Sequence, residues 1–271
     1  MHYAINLAPF DHFADPHRTA ELAQRAEAAG WDGFYIWDHI QYREPVDEVA
    51  DPWITMAAIA QATTRIRIGP MVTPLARRRP QLVAKQTTTL DHLSGGRLTL
   101  GVGLGLDRSG RELSAFGEEL DARTRAAMLD ESLDLITDLW SGEPVDHRGT
   151  RYLAEDVQFL PRPIQQPRIP VWCAARYPNA APRRRAARWD GMYIIDIDHP
   201  DQLAETGAAV AAQRPSGDLA GFELATGGDL HTSPSGYAEA GASWWIINAD
   251  SWTVTPDQVE AVVDAGPAAL D

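Results

Sequence analysis

Cysteine is almost absent from this chain: one residue, Cys173, in 271. An internal disulfide cannot form, and a cysteine-rich metal cage is excluded. Long apolar runs are missing as well. No segment approaches the roughly 18 apolar residues of a membrane-spanning helix, and the amino terminus, MHYAINLAPF, has neither the basic region nor the cleavable apolar run of a secretory leader. It reads as a strand that starts at once. Positive charge is scarce, with 24 Lys and Arg against 38 Asp and Glu and a formal charge of −14. That balance argues against a nucleic-acid surface. The expectation is a soluble, cytoplasmic protein with no nucleic-acid and no membrane partner. Several local catalytic signatures are also missing: HExxH, the P-loop, CxxC and GxSxG. No internal repeat or low-complexity run is present, and the histidines are scattered.

What the chain does have is alternation. Short apolar, β-branched or aromatic runs take turns with Ala-, Glu- and Arg-rich amphipathic segments. Strands are predicted at Tyr3–Ala8, Gly33–Trp37, Arg67–Val72, Leu98–Val102, Val171–Ala174, Gly191–Ile195, Gly221–Thr226 and Ser243–Ile247. Helices are predicted to begin near Pro16, Pro52, Pro80, Thr124, Pro182, Pro200, Ser235 and Pro256. Proline in the first turn costs nothing, because that N–H has no intrahelical partner. With 44% hydrophobic residues and a length near the ~250 residues usual for the fold, eight strand–helix units predict one (β/α)8 barrel spanning 1–271. An open doubly wound sheet is the alternative, but no GxGxxG turn opens an early helix. GVGLG at 101–105 has the wrong spacing, and no helix follows it at once. Residues 141–170 break the alternation and read as an excursion, such as a hairpin, over the outside or one end of the barrel before the fifth strand.

Chemistry in a parallel barrel is built at the carboxyl ends of strands. Asp38 and His39 follow the buried run GFYIW and leave the second strand there. Histidine moves protons near neutral pH, and an adjacent carboxylate can hold its charge and tautomer; a capping Asp with a packing His is the plainer alternative. Met71-Val72-Thr73-Pro74 ends the third strand: Pro74 forces Thr73 toward an extended conformation and cannot itself continue the ladder. Gly103 ends the fourth. Trp172–Arg176 closes the fifth with small residues, which let backbone N–H groups approach a ligand, and an Arg suited to phosphate. Trp37, Trp172, Trp244 and Trp245 could wall a flat pocket or fill the core. Arg77–Arg79 read as a solvated cluster, Asp91-His92 as structural, and Cys173 as packing. A metal hydrolase with Asp38, His39 and Asp196 as ligands is the different-class alternative.

Five segments resemble the luciferase-like monooxygenase family of flavin- or deazaflavin-dependent (β/α)8 oxidoreductases. They are AELAQRAEAAGWDGFYIWDHI (20–40), the stretch 66–105 with its run TLDHLSGGRLTLGVGLG, 129–152, 161–193 with PIQQPRIPVW and RRAARWDG, and YAEAGASWWI (237–246). The resemblance implies reduced FMN or the deazaflavin F420 lying across the strand ends, used for monooxygenation or hydride transfer on a small organic substrate. It places the ring on a bulge at Val72 and Thr73, with a non-proline cis peptide expected at Val72–Thr73. It puts the phosphate at Ala174, Ala175 and Arg176, with Gly103 a further cofactor contact. Asp38 and His39 become the catalytic pair near hydride transfer, and no metal is implied. A separate flavin or F420 reductase and a homodimer are compatible partners. Two departures stand out. The glycine common after the PVW strand is replaced within Cys173-Ala174-Ala175, and the acid some deazaflavin enzymes carry after VGxG would fall at Leu106, with Asp107 next door. A relative that has lost the cofactor and serves as a binding or subunit partner is the alternative within the family.

Overall fold

The structure is a computed structural model and describes residues 1–250 and 253–270. Its strands are β1 (His2–Leu7), β2 (Gly33–Ile36), β3 (Arg67–Pro70), β4 (Thr73–Pro74), β5 (Leu100–Gly103), β6 (Val145–Arg148), β7 (Leu153–Val157), β8 (Val171–Arg176), β9 (Gly191–Ile195), β10 (Glu223–Gly228) and β11 (Trp244–Ala249). Its helices are α1 (Pro16–Ala29), α2 (Pro52–Ala62), α3 (Pro80–Ser94), α4 (Ala122–Trp140), α5 (Ala180–Ala186), α6 (Pro200–Ala211) and α7 (Pro256–Ala265). Nine strands pair in parallel in the order β3-β2-β1-β11-β10-β9-β8-β5-β4. Because β3 and β4 are two pieces of one barrel strand, the ring has eight positions. It closes where Thr73 pairs with Val102 and where Ile68 bridges Leu98. The predicted (β/α)8 barrel is what the chain forms.

The strands separate two kinds of apolar residue by their period of two. Ile5, Leu7, Phe34, Ile36, Val171, Cys173, Met192, Ile194, Trp245 and Ile247 face the helices. Ala4, Tyr35, Trp172, Tyr193, Ala225, Trp244 and Ile246 fill the barrel interior. Trp172, Trp244 and Trp245 are therefore core, all at most 2% exposed. Cys173 lies between sheet and helices, where burial pushes its thiol up to about 12, and it is packing.

Helix entries follow the prolines. Asp15, Asp51 and Thr255 cap α1, α2 and α7 with side-chain oxygens on first-turn N–H groups, each followed by Pro at the first position. One expected helix is missing. Residues 235–241 form turns, since Gly236 and Gly241 both hold positive φ (80° and 99°) and leave too few residues between them for a helix to propagate. The excursion before the fifth barrel strand is the antiparallel hairpin β6–β7. Glu131 of α4 ties it down by accepting from the backbone N–H groups of Arg151 and Tyr152.

At the amino end of the barrel two motifs meet. The carboxylate of Asp91 accepts from the backbone N–H groups of Ile164 and Gln165 and from the Gln165 amide, which also donates to the carbonyl of Leu98. TLDHL and PIQQP are thus one knot, and Asp91 is structural as expected. Arg97 next to it donates to the carbonyls of Ala60, Thr63 and Ile66.

Candidate active site at the barrel mouth

Three strand ends shape the mouth. The third strand breaks between β3 and β4, with a cis peptide at Met71–Val72, one residue before the position expected. The break presses Val72 onto β5. A Cβ on Gly103 would lie 2.7 Å from Val72 Cγ2, and one on Gly101 would lie 2.3 Å from the carbonyl oxygen of Pro70. The glycines of GVGLG are there to admit the neighbouring strand. The same probe atom on Gly103 stands 3.6 Å from Ala174 Cβ. Val72, Gly103 and Ala174 therefore come together. Ala175 does not join them, because it alternates to the helix side of β8. Thr73 is fully buried, and its hydroxyl donates to Asp38.

Asp38 and His39 leave β2 together and separate. The Asp38 carboxylate is buried and takes donors from all sides: Arg77 Nη2 at 2.9 Å and Arg78 Nη2 at 2.7 Å on Oδ1, and Arg78 Nε at 2.8 Å, Trp53 Nε1 at 3.2 Å and the Thr73 hydroxyl on Oδ2. Burial alone would push this carboxyl up; the Arg78 and Arg77 guanidiniums outweigh it and hold the carboxyl below its ordinary range. Arg77 and Arg78 are thus drawn inward by the buried acid, and of the expected solvated cluster only Arg79 is exposed. Asp38 has no lone pair left to offer a metal, and Asp196, paired with Arg176, is not drawn to His39. The metal-hydrolase set is not assembled.

His39 turns its Nδ1 to Glu112 Oε2 at 2.7 Å. The other oxygen of Glu112 accepts from the Ile40 N–H at 2.7 Å and from Arg77 Nη1 at 2.8 Å. Arg77 also donates to the carbonyl of Asp38 at 2.8 Å. The imidazole sits among Phe10, Trp37 and Tyr42, with ring centroids 5.8, 5.9 and 4.9 Å away, and its side chain is 20% exposed. Glu112 lies nine residues past Gly103, in a loop with several other acids, and nothing in the sequence marks it. Asp107, the nearer acid, is spent on the N–H groups of Leu113 and Ser114.

Below His39 the barrel carries an uncharged polar layer. Asn6 Nδ2 donates to the Met71 carbonyl at 3.2 Å and to Asn248 Oδ1 at 2.9 Å, and the Tyr193 hydroxyl donates to the same oxygen at 2.9 Å. The β11 strand runs on through Asn248 to Ala249, so the Trp244-Trp245 pair lies at its amino end and not at the mouth. At the opposite rim Arg176 ends β8 in a half-exposed pair with Asp196, at 2.7 and 3.1 Å.

These residues fit a flat ring carrying an anionic tail. Val72 and Ala174 are small and half-buried. Arg176 supplies a cation at the rim whose present partner is exposed and weakly held.

Several curated proteins are similar to the chain in sequence. An F420-dependent glucose-6-phosphate dehydrogenase of Amycolatopsis mediterranei is 37% identical over 61% of this chain and 50% of its own length. An F420-dependent hydroxymycolic acid dehydrogenase of Mycobacterium tuberculosis is 32% identical over 73% of this chain and 56% of its own. The chain therefore spans about half the length of these relatives. In fold it is similar to an F420-dependent secondary alcohol dehydrogenase solved with an F420-acetone adduct, with a TM-score of 0.81 over 100% of this chain and 99% of that one at 18% identity. The sequence profile of the luciferase-like monooxygenases matches residues 3–246, from the first barrel strand into the last, and so the chain belongs to the luciferase-like monooxygenase family.

Proposed function

We propose that the protein is an oxidoreductase that binds reduced F420, or reduced FMN, across the barrel mouth and exchanges a proton with a small organic substrate through His39. The observation that carries this reading is the Glu112–His39 contact at the mouth. A carboxylate on Nδ1 leaves Nε2, which has no hydrogen-bond partner among the described residues, as the atom turned to chemistry. An imidazole held this way serves a hydroxyl-to-carbonyl interconversion, giving or taking the proton that accompanies hydride transfer. The bound cofactor supplies the hydride. Val72, Gly103 and Ala174 would support its ring and Arg176 its phosphate. Phe10, Trp37 and Tyr42 hold water away from the imidazole. The F420-dependent naming of the two relatives favours F420 over FMN, and with FMN a separate reductase would supply the reduced form.

The test is titration of the purified protein with F420 and with FMN, followed by turnover of small ketones with the reduced cofactor, with His39→Gln as comparator. Binding of F420 in the micromolar range, with turnover lowered about 10²–10⁴-fold in the variant, is expected. Binding of neither cofactor below millimolar concentration would leave the partner-subunit alternative standing. Equal turnover in the variant would return His39 to packing.

A further inference from the structure

The geometry points to Arg77 as the positioning residue of this site: through Glu112 it fixes Nδ1 of His39 as the protonated nitrogen and keeps Nε2 for the substrate. The inference rests on the reading of His39 as the proton-exchanging group. Arg77 never touches His39. It bridges two buried acids instead, with Nη1 on Glu112 Oε1 at 2.8 Å and Nη2 on Asp38 Oδ1 at 2.9 Å and on the Asp38 carbonyl at 2.8 Å. Its side chain is 5% exposed, as is that of Glu112, and that of Asp38 is fully buried. With a guanidinium and the Ile40 N–H on one oxygen, Glu112 is an acceptor on both oxygens, so the proton of the 2.7 Å contact belongs to His39 Nδ1. The fork geometry matters, because one planar group spans both acids and the backbone beside His39.

The groups around the His39 ring are Glu112 from the loop after β5, Phe10 from the segment after β1, Trp37 at the end of β2 and Tyr42 from the same loop as His39. Asp11, beside Phe10, is spent on the N–H groups of Asp47 and Glu48. Glu112 is thus the anion that faces the imidazole, and Arg77 is the cation that tempers it. Removing the cation leaves Glu112 free to hold an imidazolium more tightly, so the proton affinity of His39 should rise.

Nitrogen-15 NMR of the cofactor-free protein reads both quantities, with the His39 signals identified by their loss in His39→Gln. The wild type should show the Nδ1-protonated tautomer. Arg77→Met should move the His39 midpoint to higher pH by about one unit, a tenfold gain in proton affinity. Arg77→Lys should restore the midpoint by restoring the charge, but leave a mixture of tautomers because it lacks the fork. If Arg77→Met does not fold, Glu112→Gln makes the same test with the opposite sign: the midpoint should fall and the tautomer preference invert, because the amide oxygen stays on Arg77 and Ile40 and its NH2 then faces Nδ1. A folded Arg77→Met or Glu112→Gln protein with the wild-type tautomer and midpoint overturns the proposal. The readout needs no cofactor, so failure to bind F420 or FMN would overturn the proposed function and leave this result untouched.

Discussion

Asp38 and His39 are adjacent in the chain and serve different ends. The sequence marks both, because polar residues after a buried run at a strand end are easy to see. Their partners are not marked. Arg77 and Arg78 look like any surface cluster until a buried carboxylate 39 and 40 residues away is found to claim them. Glu112 is one acid among several, and only the folded loop singles it out. Arg176 was legible as a phosphate candidate; the exposed carboxylate that pairs with it was not. That pair bears on affinity. A charge-assisted contact to phosphate is worth about 1.5–3 kcal/mol, or roughly 10- to 150-fold, and competition from Asp196 places Arg176 at the lower end. Arg176→Ala should weaken FMN binding about tenfold while leaving riboflavin, which lacks the phosphate, unchanged. Asp196→Asn should tighten FMN. Equal ratios for the two ligands would assign Arg176 to the ring or to loop structure.

At the scale of elements the strand positions were readable and their ends were not. The last two barrel strands run to Gly228 and Ala249, two residues beyond where the apolar pattern stops. Gly227, Gly228 and Asn248 carry no strand signal, yet Asn248 stays in the ladder because Asn6 and Tyr193 satisfy it inside the barrel. Pro74 was read as the end of the third strand, but the strand breaks earlier, at Met71–Val72, and Pro74 pairs with Gly103 in β4; the cost of that break to the next strand was not legible. β5 must be glycine where β3 and β4 bulge toward it. Gly101→Ala would drive a methyl into the Pro70 carbonyl, which cannot move without the strand, whereas Gly103→Ala meets a Val72 side chain. Both should destabilise, by about 1–3 kcal/mol, with Gly101→Ala the worse. Urea denaturation of the two variants ranks them, and the reverse order would show that the Val72 contact is the rigid one.

The whole molecule divides its carboxylates by what they hold. Glu27 accepts from the N–H groups of Ile66, Arg65 and Thr64, Glu131 from those of Arg151 and Tyr152, and Asp38 from two guanidiniums. Burial opposes ionisation in all three, and these donors still hold each one below its ordinary value. A carboxyl with a depressed folded pKa stabilises fully above its unfolded value, near 4, and loses that contribution as pH falls through the folded value. Tm should therefore be level above about pH 5 and fall steeply below pH 4. Asp38→Asn should flatten part of that fall. A Tm that rises on acidification would show that relief of the −14 charge outweighs these contacts.

The pairing of β1 with β11, His2–Leu7 against Trp244–Ala249, has a consequence for biosynthesis. The barrel's first strand has its last strand as one of its two neighbours. At about 5–20 residues per second, β1 waits roughly 10–50 s with one edge open. During that time Ile5 and Leu7 have β2 and the early helices to pack on, but the other side of the strand is a free template. Ring closure thus waits for the last barrel strand. A chain released before Trp244 would carry two unprotected edges, so truncated products should go to aggregates or to chaperones, and not to a smaller folded unit.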